Sequence, residues 1–240
     1  MVKSKKLYFF NNSNLNSYFN IEKDVIHIWI INTTNEIVEK NFNVYYNLLN
    51  EREKKRFERY KFNKDKRRFV FSRGILRYLI SKYLNIEARN VSIIYDNRGK
   101  PKLGGGINKI NLNFNISHSK DLILFVFVLD SQIGVDVEYI DRCRDVVSIA
   151  RNFYNKDEYN IIQGSDNNEK YLIFYRLWTF KEAMLKAYGT GLSSDFRTLT
   201  LNSQIEDKDC SHGTYFYRGL EYKYNFRILS KDYCYTLVYH

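Results

Sequence analysis

The chain has 240 residues and 44% of them are hydrophobic, which is enough for a substantial core in one large domain or two small ones. Lys and Arg number 38 against 27 Asp and Glu, so the net charge is +11 and predicts an anionic partner: a nucleic acid, a phosphorylated ligand or an acidic protein. No apolar stretch is long enough to span a membrane, and the three cysteines are odd in number and lack metal-binding spacing, so we expect a reduced, cytoplasmic protein without a membrane partner.

The first half of the chain predicts a strand, then helices, then further strands. Residues 25–31 form a continuous apolar run that is typical of a buried strand, and residues 36–60 and about 66–84 have helical patterns. The segments that follow are a strand at 91–95, a turn-rich loop at 97–106, and strands at 112–117 and 122–130.

The second half repeats this order. A strand at 133–138 is followed by a helix at 144–163 and by another helix that ends near Gly189. The remaining segments predict strands of an antiparallel sheet at 196–201, 214–218, 222–229 and 233–239. We therefore expect an α+β fold of two similar α/β halves, with domains at 1–130 and 131–240, although no residue-level repeat is visible.

Two acids lie on one face of the predicted strand at 133–138. The apolar residues Ile133, Val135 and Val137 alternate with Gly134, Asp136 and Glu138, so the apolar face is expected to be buried and the acids to lie opposite. Two acids on one face repel each other unless a cation or water separates them. The alternatives are a metal site and a solvent-facing strand edge.

A third acid lies on the helix that ends near Gly189. Trp178, Glu182 and Lys186 recur every four positions and therefore share one helix face. Carboxylates from a strand and a helix would supply the hard oxygen ligands that Mg²⁺ prefers, and the lysine would suit a phosphate. A surface ladder of ion pairs is the alternative; together, the two segments indicate metal-assisted phosphoryl chemistry.

Positive charge is concentrated between Glu51 and Lys82, where thirteen Lys and Arg face four Asp and Glu. An AT-rich genome explains a high overall lysine content, but it does not explain clustering. Most of these side chains fit a solvated helix face, and a nucleic-acid patch is also open. Arginine forks onto phosphate oxygens, so we expect a few of these side chains to contact an anion, although the count does not say which.

Two loops carry further candidates for a phosphate site. Lys100 stands between a glycine and the only proline of the chain, and Ser117 and His118 stand at the end of a strand. Glycine permits close approach of a ligand, and the hydroxyl and imidazole suit phosphate oxygens. Ordinary surface turns would have the same composition.

Four motifs together resemble the 4′-phosphopantetheinyl transferases, in particular their larger, monomeric, surfactin-synthetase-activator type. These are GVDVE at Gly134–Glu138, WTFKEAMLK at Trp178–Lys186, Lys100-Pro101, and NISHS at Asn115–Ser119. The resemblance covers residues 50 to 192 with the motifs in the family's order. It implies two similar α/β halves related by a pseudo-twofold axis, with coenzyme A in the cleft between them.

The resemblance also implies the reaction and its partners. A serine hydroxyl of an acyl or peptidyl carrier protein attacks the β-phosphorus of coenzyme A, the phosphopantetheine arm moves to the serine, and 3′,5′-ADP leaves. A peptidyl carrier is the expected partner, and the enzyme is expected to be a cytoplasmic monomer with no stable nucleic-acid partner.

Individual residues take family roles by their positions in the motifs. Asp136, Glu138 and Glu182 would bind Mg²⁺, with Mn²⁺ as an alternative, and Glu182 or a metal-bound water would accept the serine proton. Lys186 and Lys181 would neutralise phosphate or leaving-group charge, and Glu158 resembles a further acidic position. The residues expected to bind coenzyme A are Lys100, Ser117, His118, Arg52, Arg56 and Arg68. Glu53 falls near a position where the family often has lysine, so the register of the basic segment is open.

Two rival functions use some of the same residues. A magnesium-dependent nuclease also clusters acids with a lysine, but usually as E-x-K on one strand, whereas Glu182 and Lys186 follow a helical pattern. A non-catalytic RNA-binding module would need aromatic residues between basic ones, as at Arg59–Phe62, and would leave the acids unexplained.

Overall fold

The computed structural model describes residues 4–10, 19–97, 99–167, 169–189, 194–201 and 212–240. The fold is α+β, as predicted, and the chain divides into two compact units, Met1–Asp130 and Ser131–His240. We call them unit 1 and unit 2. Each unit has its own four-stranded sheet and its own cluster of buried apolar side chains. Within the described ranges, no helix is both long and apolar enough to cross a membrane.

Unit 1 consists of a sheet, a set of helices and a small hairpin. Its elements are β1 Ser4–Phe9, β2 Val25–Asn32, α1 Glu36–Lys40, α2 Phe42–Asn47, α3 Glu51–Glu58, α4 Asn63–Leu84, a 3-10 turn Ala88–Asn90, β3 Ile93–Tyr95, β4 Pro101–Leu103, β5 Leu112–Ser119 and β6 Leu122–Leu129. The sheet order is β1-β2-β6-β5, with β1 parallel to β2 and the other neighbours antiparallel. Strands β3 and β4 form a separate antiparallel pair within the part of the chain that the structure describes.

The core of unit 1 lies between one face of this sheet and α4. Trp29 on β2 is fully buried there, and its Nε1 donates a hydrogen bond of 2.8 Å to the Tyr83 hydroxyl. His27, also fully buried, has its Nδ1 2.8 Å from the same hydroxyl. Because the indole N–H can only donate, the hydroxyl is free to donate to the imidazole, which fits a neutral histidine.

The described residues of unit 2 form one sheet, three α-helices and a 3-10 helix. Its elements are β7 Ile133–Tyr139, α5 Val146–Phe153, α6 Lys156–Gly164, α7 Glu169–Tyr188, a 3-10 helix Ser194–Arg197, β8 His212–Tyr217, β9 Leu220–Ser230 and β10 Tyr233–Tyr239. The sheet order is β7-β10-β9-β8 and every neighbouring pair is antiparallel. Helix α7 supplies much of the core, with Phe174, Leu177 and Met184 all at most 1% exposed.

Several predicted elements differ from the structure. The single helix predicted at 36–60 is three helices, and the one predicted at 144–163 is α5 and α6, because Asn155 caps a new helix. The predicted strand at 196–201 is wrong, since the 3-10 helix extends to Arg197. Strands β1 and β4 were not predicted. Cys143 and Cys234 are free thiols, exposed and buried respectively, while Cys210 lies outside the described residues.

Candidate active site

Strand β7 and helix α7 touch through their backbones at Gly134. A Cβ atom at this position would lie 2.1 Å from the Ala183 carbonyl oxygen and 2.5 Å from the Ala187 nitrogen, so only glycine permits the approach. Asp136 and Glu138 follow on the same face of β7. The close approach brings that face against α7, and Asp136 is only 4% exposed as a result.

Lys186 on α7 binds directly to Asp136. Its Nζ lies 2.6 Å from Asp136 Oδ1 and also donates a 3.2 Å hydrogen bond to the Val135 carbonyl. The lysine side chain is 26% exposed and that of the aspartate 6%, so the pair lies at the edge of the interior. In this position Lys186 presents its ammonium both to the carboxylate and to the surface.

Glu182 lies one helical turn before Lys186, and its carboxyl group has a raised pKa. Burial and, second, the negative charge of Asp136 raise the pKa of Glu182 to about 7, while Lys186 acts in the opposite direction. The interaction with Asp136 shows that the two carboxylates share one small region. A carboxyl group with a pKa near neutrality can accept and release a proton at physiological pH.

The structure assembles two of the three predicted metal ligands more closely than the third. Among the residues it describes, no group of three or more His, Cys, Asp or Glu side chains lies close enough to hold a metal ion. Asp136 and Glu182 interact, whereas Glu138 lies two residues further along β7 and is half-buried. The donor chemistry nevertheless fits Mg²⁺, because proteins commonly bind this ion through one or two carboxylates plus substrate phosphates.

The placement of Lys181 argues against the predicted phosphate contact. Its side chain is fully buried, and Nζ donates to Glu158 Oε2 at 2.7 Å and to the Phe196 carbonyl at 3.1 Å. The rings of Tyr154 and Phe196 also lie about 5 Å from this ammonium, at 5.0 and 5.5 Å. Lys181 and the equally buried Glu158 therefore belong to the interior of unit 2, not to a surface that receives a ligand.

In unit 1, the predicted arginines divide between two pockets. Arg52 and Arg56 on α3 are exposed and line a pocket of about 1340 Å³ together with Arg73 and Tyr95. Arg68 instead lines a second pocket, of about 1030 Å³, and is paired with Asp65 at 2.7 Å. The structure thus brings Arg52 and Arg56 to one pocket but does not bring Arg68 to it.

Two further residues of the first pocket, Arg73 and Glu53, bear on the open register of the basic segment. Arg73 is missing from the predicted set, yet its guanidinium lies 5.5 Å from the ring centre of Tyr95 and 6.0 Å from that of Phe69. The spacing of four residues between Phe69 and Arg73 on a helix was the available signal. Glu53, which stands where the family often has lysine, turns inward and pairs with Arg77 at 2.9 Å.

Comparison with known proteins identifies the family of both units. Residues 36–128 match the family model of the N-terminal domain of 4′-phosphopantetheinyl transferases, and residues 132–238 match that of the 4′-phosphopantetheinyl transferase superfamily. The 4′-phosphopantetheinyl transferase HetI of Nostoc sp. is 37% identical over 71% of each chain. The chain belongs to the 4′-phosphopantetheinyl transferase superfamily.

Two further relatives carry the same description. A putative 4′-phosphopantetheinyl transferase of Synechocystis sp. is 30% identical over 78% of this chain and 72% of its own. The 4′-phosphopantetheinyl transferase Sfp of Bacillus subtilis is 28% identical over 62% of this chain and 64% of its own. The predicted family resemblance is confirmed, and these matches give no support to a nuclease or an RNA-binding module.

The three remaining candidates of this phosphopantetheinyl transferase lie on β5 and beside β4. Lys100 precedes β4, and burial, with a smaller effect of Lys102, lowers its pKa to about 8. Ser117 is buried and His118 is exposed. Because they are consecutive residues of strand β5, their side chains leave opposite faces of the sheet and would reach different parts of a ligand.

Proposed function

We infer that the chain transfers the 4′-phosphopantetheine arm of coenzyme A to a serine of an acyl or peptidyl carrier protein and releases 3′,5′-ADP. Membership of the superfamily supports the reaction. We assign the reaction to the contact of β7 with α7 because two acids and a lysine lie together there: Asp136, Glu182 and Lys186.

Asp136 and Glu182 are the proposed ligands of Mg²⁺ or Mn²⁺, with Glu138 as a third ligand on the same face of β7. A bound divalent ion supplies positive charge that stabilises the diphosphate as its anhydride bond breaks. The repulsion between Asp136 and Glu182 supports this proposal, because a cation would remove the repulsion that helps to raise the pKa of Glu182.

Glu182 is the proposed base, either directly or through a water. The serine hydroxyl gives its proton to this carboxylate, the serine oxygen forms a bond to the β-phosphorus, and the bond from that phosphorus to the bridging oxygen breaks. The bridging oxygen leaves as part of 3′,5′-ADP. Lys186 holds Asp136 in place, and its positive charge stabilises the phosphate oxygens, which gain charge at this step.

The nucleotide end of coenzyme A is proposed to bind to unit 1. Arg52, Arg56 and Arg73 would neutralise the 3′-phosphate, and Tyr95 offers a ring face for the adenine in the same pocket. The remaining candidates for contact with other parts of coenzyme A are Lys100, Ser117, His118 and Arg68. A pKa near 8 leaves Lys100 largely cationic at neutral pH, which suits contact with a phosphate.

The loading assay tests this function directly. Purified protein is mixed with coenzyme A, MgCl₂ and one of several purified carrier proteins, and loading is measured as the mass increase of the carrier. Asp136→Ala and Glu182→Ala are expected to abolish loading while the circular dichroism spectrum stays unchanged. Robust loading by either variant would remove the metal-site assignment, and cleavage of plain DNA without carrier loading would favour the nuclease.

The choice of partner and the assembly state are separate proposals. A peptidyl carrier is the proposed preferred partner, and a basic enzyme suits the acidic surface of such carriers. Relative loading rates across the carriers measure this preference. A monomer working in the cytoplasm without a nucleic-acid partner is also proposed; light scattering of the purified protein tests the assembly state.

A further inference from the structure

Glu158 and Lys181 form an ion pair in the interior of unit 2, where both side chains are 0% exposed. Removing two charges from water is costly, and a buried pair of this kind often contributes little net stability compared with apolar residues. The proposed reaction does not use either residue. The pair therefore needs an explanation other than stability or contact with substrate.

Lys181 connects three segments of unit 2 through its ammonium group. It lies on α7, it donates to Glu158 in the first turn of α6, and it donates to the Phe196 carbonyl in the 3-10 helix that follows α7. Glu158 is itself fixed, because it forms a reciprocal capping box with Asn155 at the start of α6. The ammonium thus holds the middle of α7 against two other segments.

The position of Lys181 on α7 links this anchor to the candidate active site. Lys181 immediately precedes Glu182, and successive residues of an α-helix are about 100° apart around its axis. A rotation of α7 that displaced the lysine would therefore turn Glu182 and Lys186 away from Asp136. The ion pair adds a directional contact on the buried side of α7 to the apolar packing of Phe174, Leu177 and Met184.

Unit 1 contains the same ion-pair arrangement, but it lacks counterparts of the proposed metal ligands on β7 and α7. Asn50 and Glu53 form a capping box at the start of α3, and Arg77 on α4 pairs with Glu53 24 residues before it, as Lys181 pairs with Glu158 23 residues before it. Arg77 also donates to the carbonyl of Val91, 14 residues later, as Lys181 does to that of Phe196, 15 residues later. The recurrence shows that the pair belongs to the construction of each unit.

We propose that Lys181 is a positioning residue that fixes the rotation of α7, so that Glu182 and Lys186 face Asp136 for catalysis. Its ammonium acts through Glu158 and the Phe196 carbonyl and does not contact coenzyme A. The catalytic consequence rests on the proposed function of the Asp136–Glu182–Lys186 cluster. The anchoring itself stands on the contacts within unit 2 alone.

Three variants separate positioning from contact with substrate. Lys181→Met leaves Glu158 buried without its partner. The double variant Lys181→Met/Glu158→Gln removes both charges. Lys181→Arg keeps a cation and introduces the residue type that unit 1 has at the equivalent position, Arg77. For the single Met variant we expect an unfolding midpoint lower by about 10 °C. In its folded state we expect kcat to fall about tenfold while KM for coenzyme A changes by less than about twofold.

The Arg variant is expected to recover most of both losses, because its guanidinium can again pair with Glu158. The double variant is expected to recover the midpoint but not kcat, because it removes the uncompensated carboxylate without restoring the anchor. A KM for coenzyme A raised about tenfold in any of the three variants would show that Lys181 contacts the substrate and would overturn the proposal. Wild-type kcat in the double variant would also overturn it, because only the uncompensated carboxylate would then have mattered. Wild-type kcat in a folded Lys181→Met variant would also overturn it.

A readout that does not need activity keeps the two proposals distinct. The ring of Trp178 lies 5.1 Å from that of Phe196, so release of the Phe196 carbonyl is expected to shift the tryptophan emission in Lys181→Met and not in Lys181→Arg. Unchanged emission in the Met variant would contradict the anchoring. Failure of the wild-type protein to load any carrier would count against the proposed function, while the emission and unfolding data still decide the anchoring.

Discussion

Units 1 and 2 use one construction plan and differ in the chemistry placed on it. Strands β2-β6-β5 and β7-β10-β9 have the same order, and in both units helices and a 3-10 turn stand between the first strand and the other two. Both also have the capping box and the buried ion pair. The first and fifth residues after Lys181 are Glu182 and Lys186, whereas those after Arg77 are Tyr78 and Lys82.

The difference shows what a candidate active site requires beyond the scaffold. Strand β2 has the sequence VIHIWIIN and offers no carboxylate, so Lys82 on α4 has no counterpart of Asp136 there. Strand β7 carries Asp136 and Glu138 on the face that meets α7. Acids on one strand and one helix therefore distinguish the unit with the proposed catalytic cluster from the unit with the proposed nucleotide pocket.

The largest expected effect is a difference in carrier loading between variants of two equivalent lysines, Lys186 in unit 2 and Lys82 in unit 1. Lys186→Met removes a charged donor from Asp136 and from the reacting phosphates, and we expect kcat for carrier loading to fall by about 10² to 10³. Lys82→Met changes an exposed lysine at the same position of unit 1 and is expected to stay within about twofold of wild type. Steady-state loading kinetics measure both. A similar loss in both variants would mean that the lysines act through overall charge.

The ion pair of unit 1 offers the next largest effect. Arg77→Met leaves Glu53 buried without its partner, and we expect the free energy of unfolding to fall by about 3–5 kcal/mol. The double variant Arg77→Met/Glu53→Gln is expected to recover most of this loss. Denaturant titration measures the change. A single variant as stable as the wild type would show that the pair contributes nothing to holding α3 on α4.

The two units are expected to respond to acid in opposite directions. Burial lowers the pKa of His27 to about 4, below its usual 6.5, so folding favours the neutral form and stability falls as the pH drops from about 6.5 towards 4. For this fully buried group the loss approaches about 3 kcal/mol. Glu182 has a raised pKa, so its contribution to stability increases as the pH drops from about 7 towards 4.5.

Substitution of His27 or Glu182 isolates the contribution of that residue to the pH dependence of stability. Unfolding free energies measured between pH 7 and 4.5 should lose the acid-induced decrease in His27→Phe and lose the opposing increase in Glu182→Gln. Loading activity should fall as acid protonates the proposed base, at a pH below about 7 because a bound divalent ion lowers the pKa of Glu182. A loading rate that stays flat down to about pH 4 would remove Glu182 from that role.

The smallest expected effect compares two close backbone contacts. A Cβ at Gly74 would lie 2.5 Å from the Tyr45 carbonyl oxygen, and one at Gly134 would lie 2.1 Å from that of Ala183. Both Gly→Ala variants should lose about 1–3 kcal/mol of unfolding free energy through overpacking. Only Gly134→Ala should also lower kcat for loading, since it separates β7 from α7. Equal kcat losses in the two variants would show that the contact at Gly134 has no special role in the site.

Local patterns were sufficient for some elements and insufficient for others. The alternation at 133–138 predicted β7, and the helical pattern before Gly189, which has a φ of +92°, predicted the end of α7. The break between α5 and α6 was readable in Asn155 and Glu158, because N-x-x-E is a capping-box pattern. Strand β1 was not, because it is defined by parallel pairing with β2, a partner distant in sequence.

The candidate site shows the same limit. Helical spacing placed Glu182 and Lys186 on one face, but it could not reveal that Lys186 binds Asp136, since that contact depends on how closely β7 approaches α7. It also could not tell that Lys181 faces the interior while its neighbour Glu182 does not. Whether a charged side chain in such a segment faces the interior depends on tertiary packing, and the local sequence pattern carries no information about that packing.

The main-chain contact at Gly134 acts as a mechanical stop between β7 and α7. Apolar side chains elsewhere in unit 2 can be exchanged for bulkier or smaller ones without drawing the two elements nearer, because carbonyl and Cα atoms already limit the distance. Loss of side-chain volume in the core of unit 2 is therefore expected to lower stability without bringing Asp136 closer to Glu182 and Lys186.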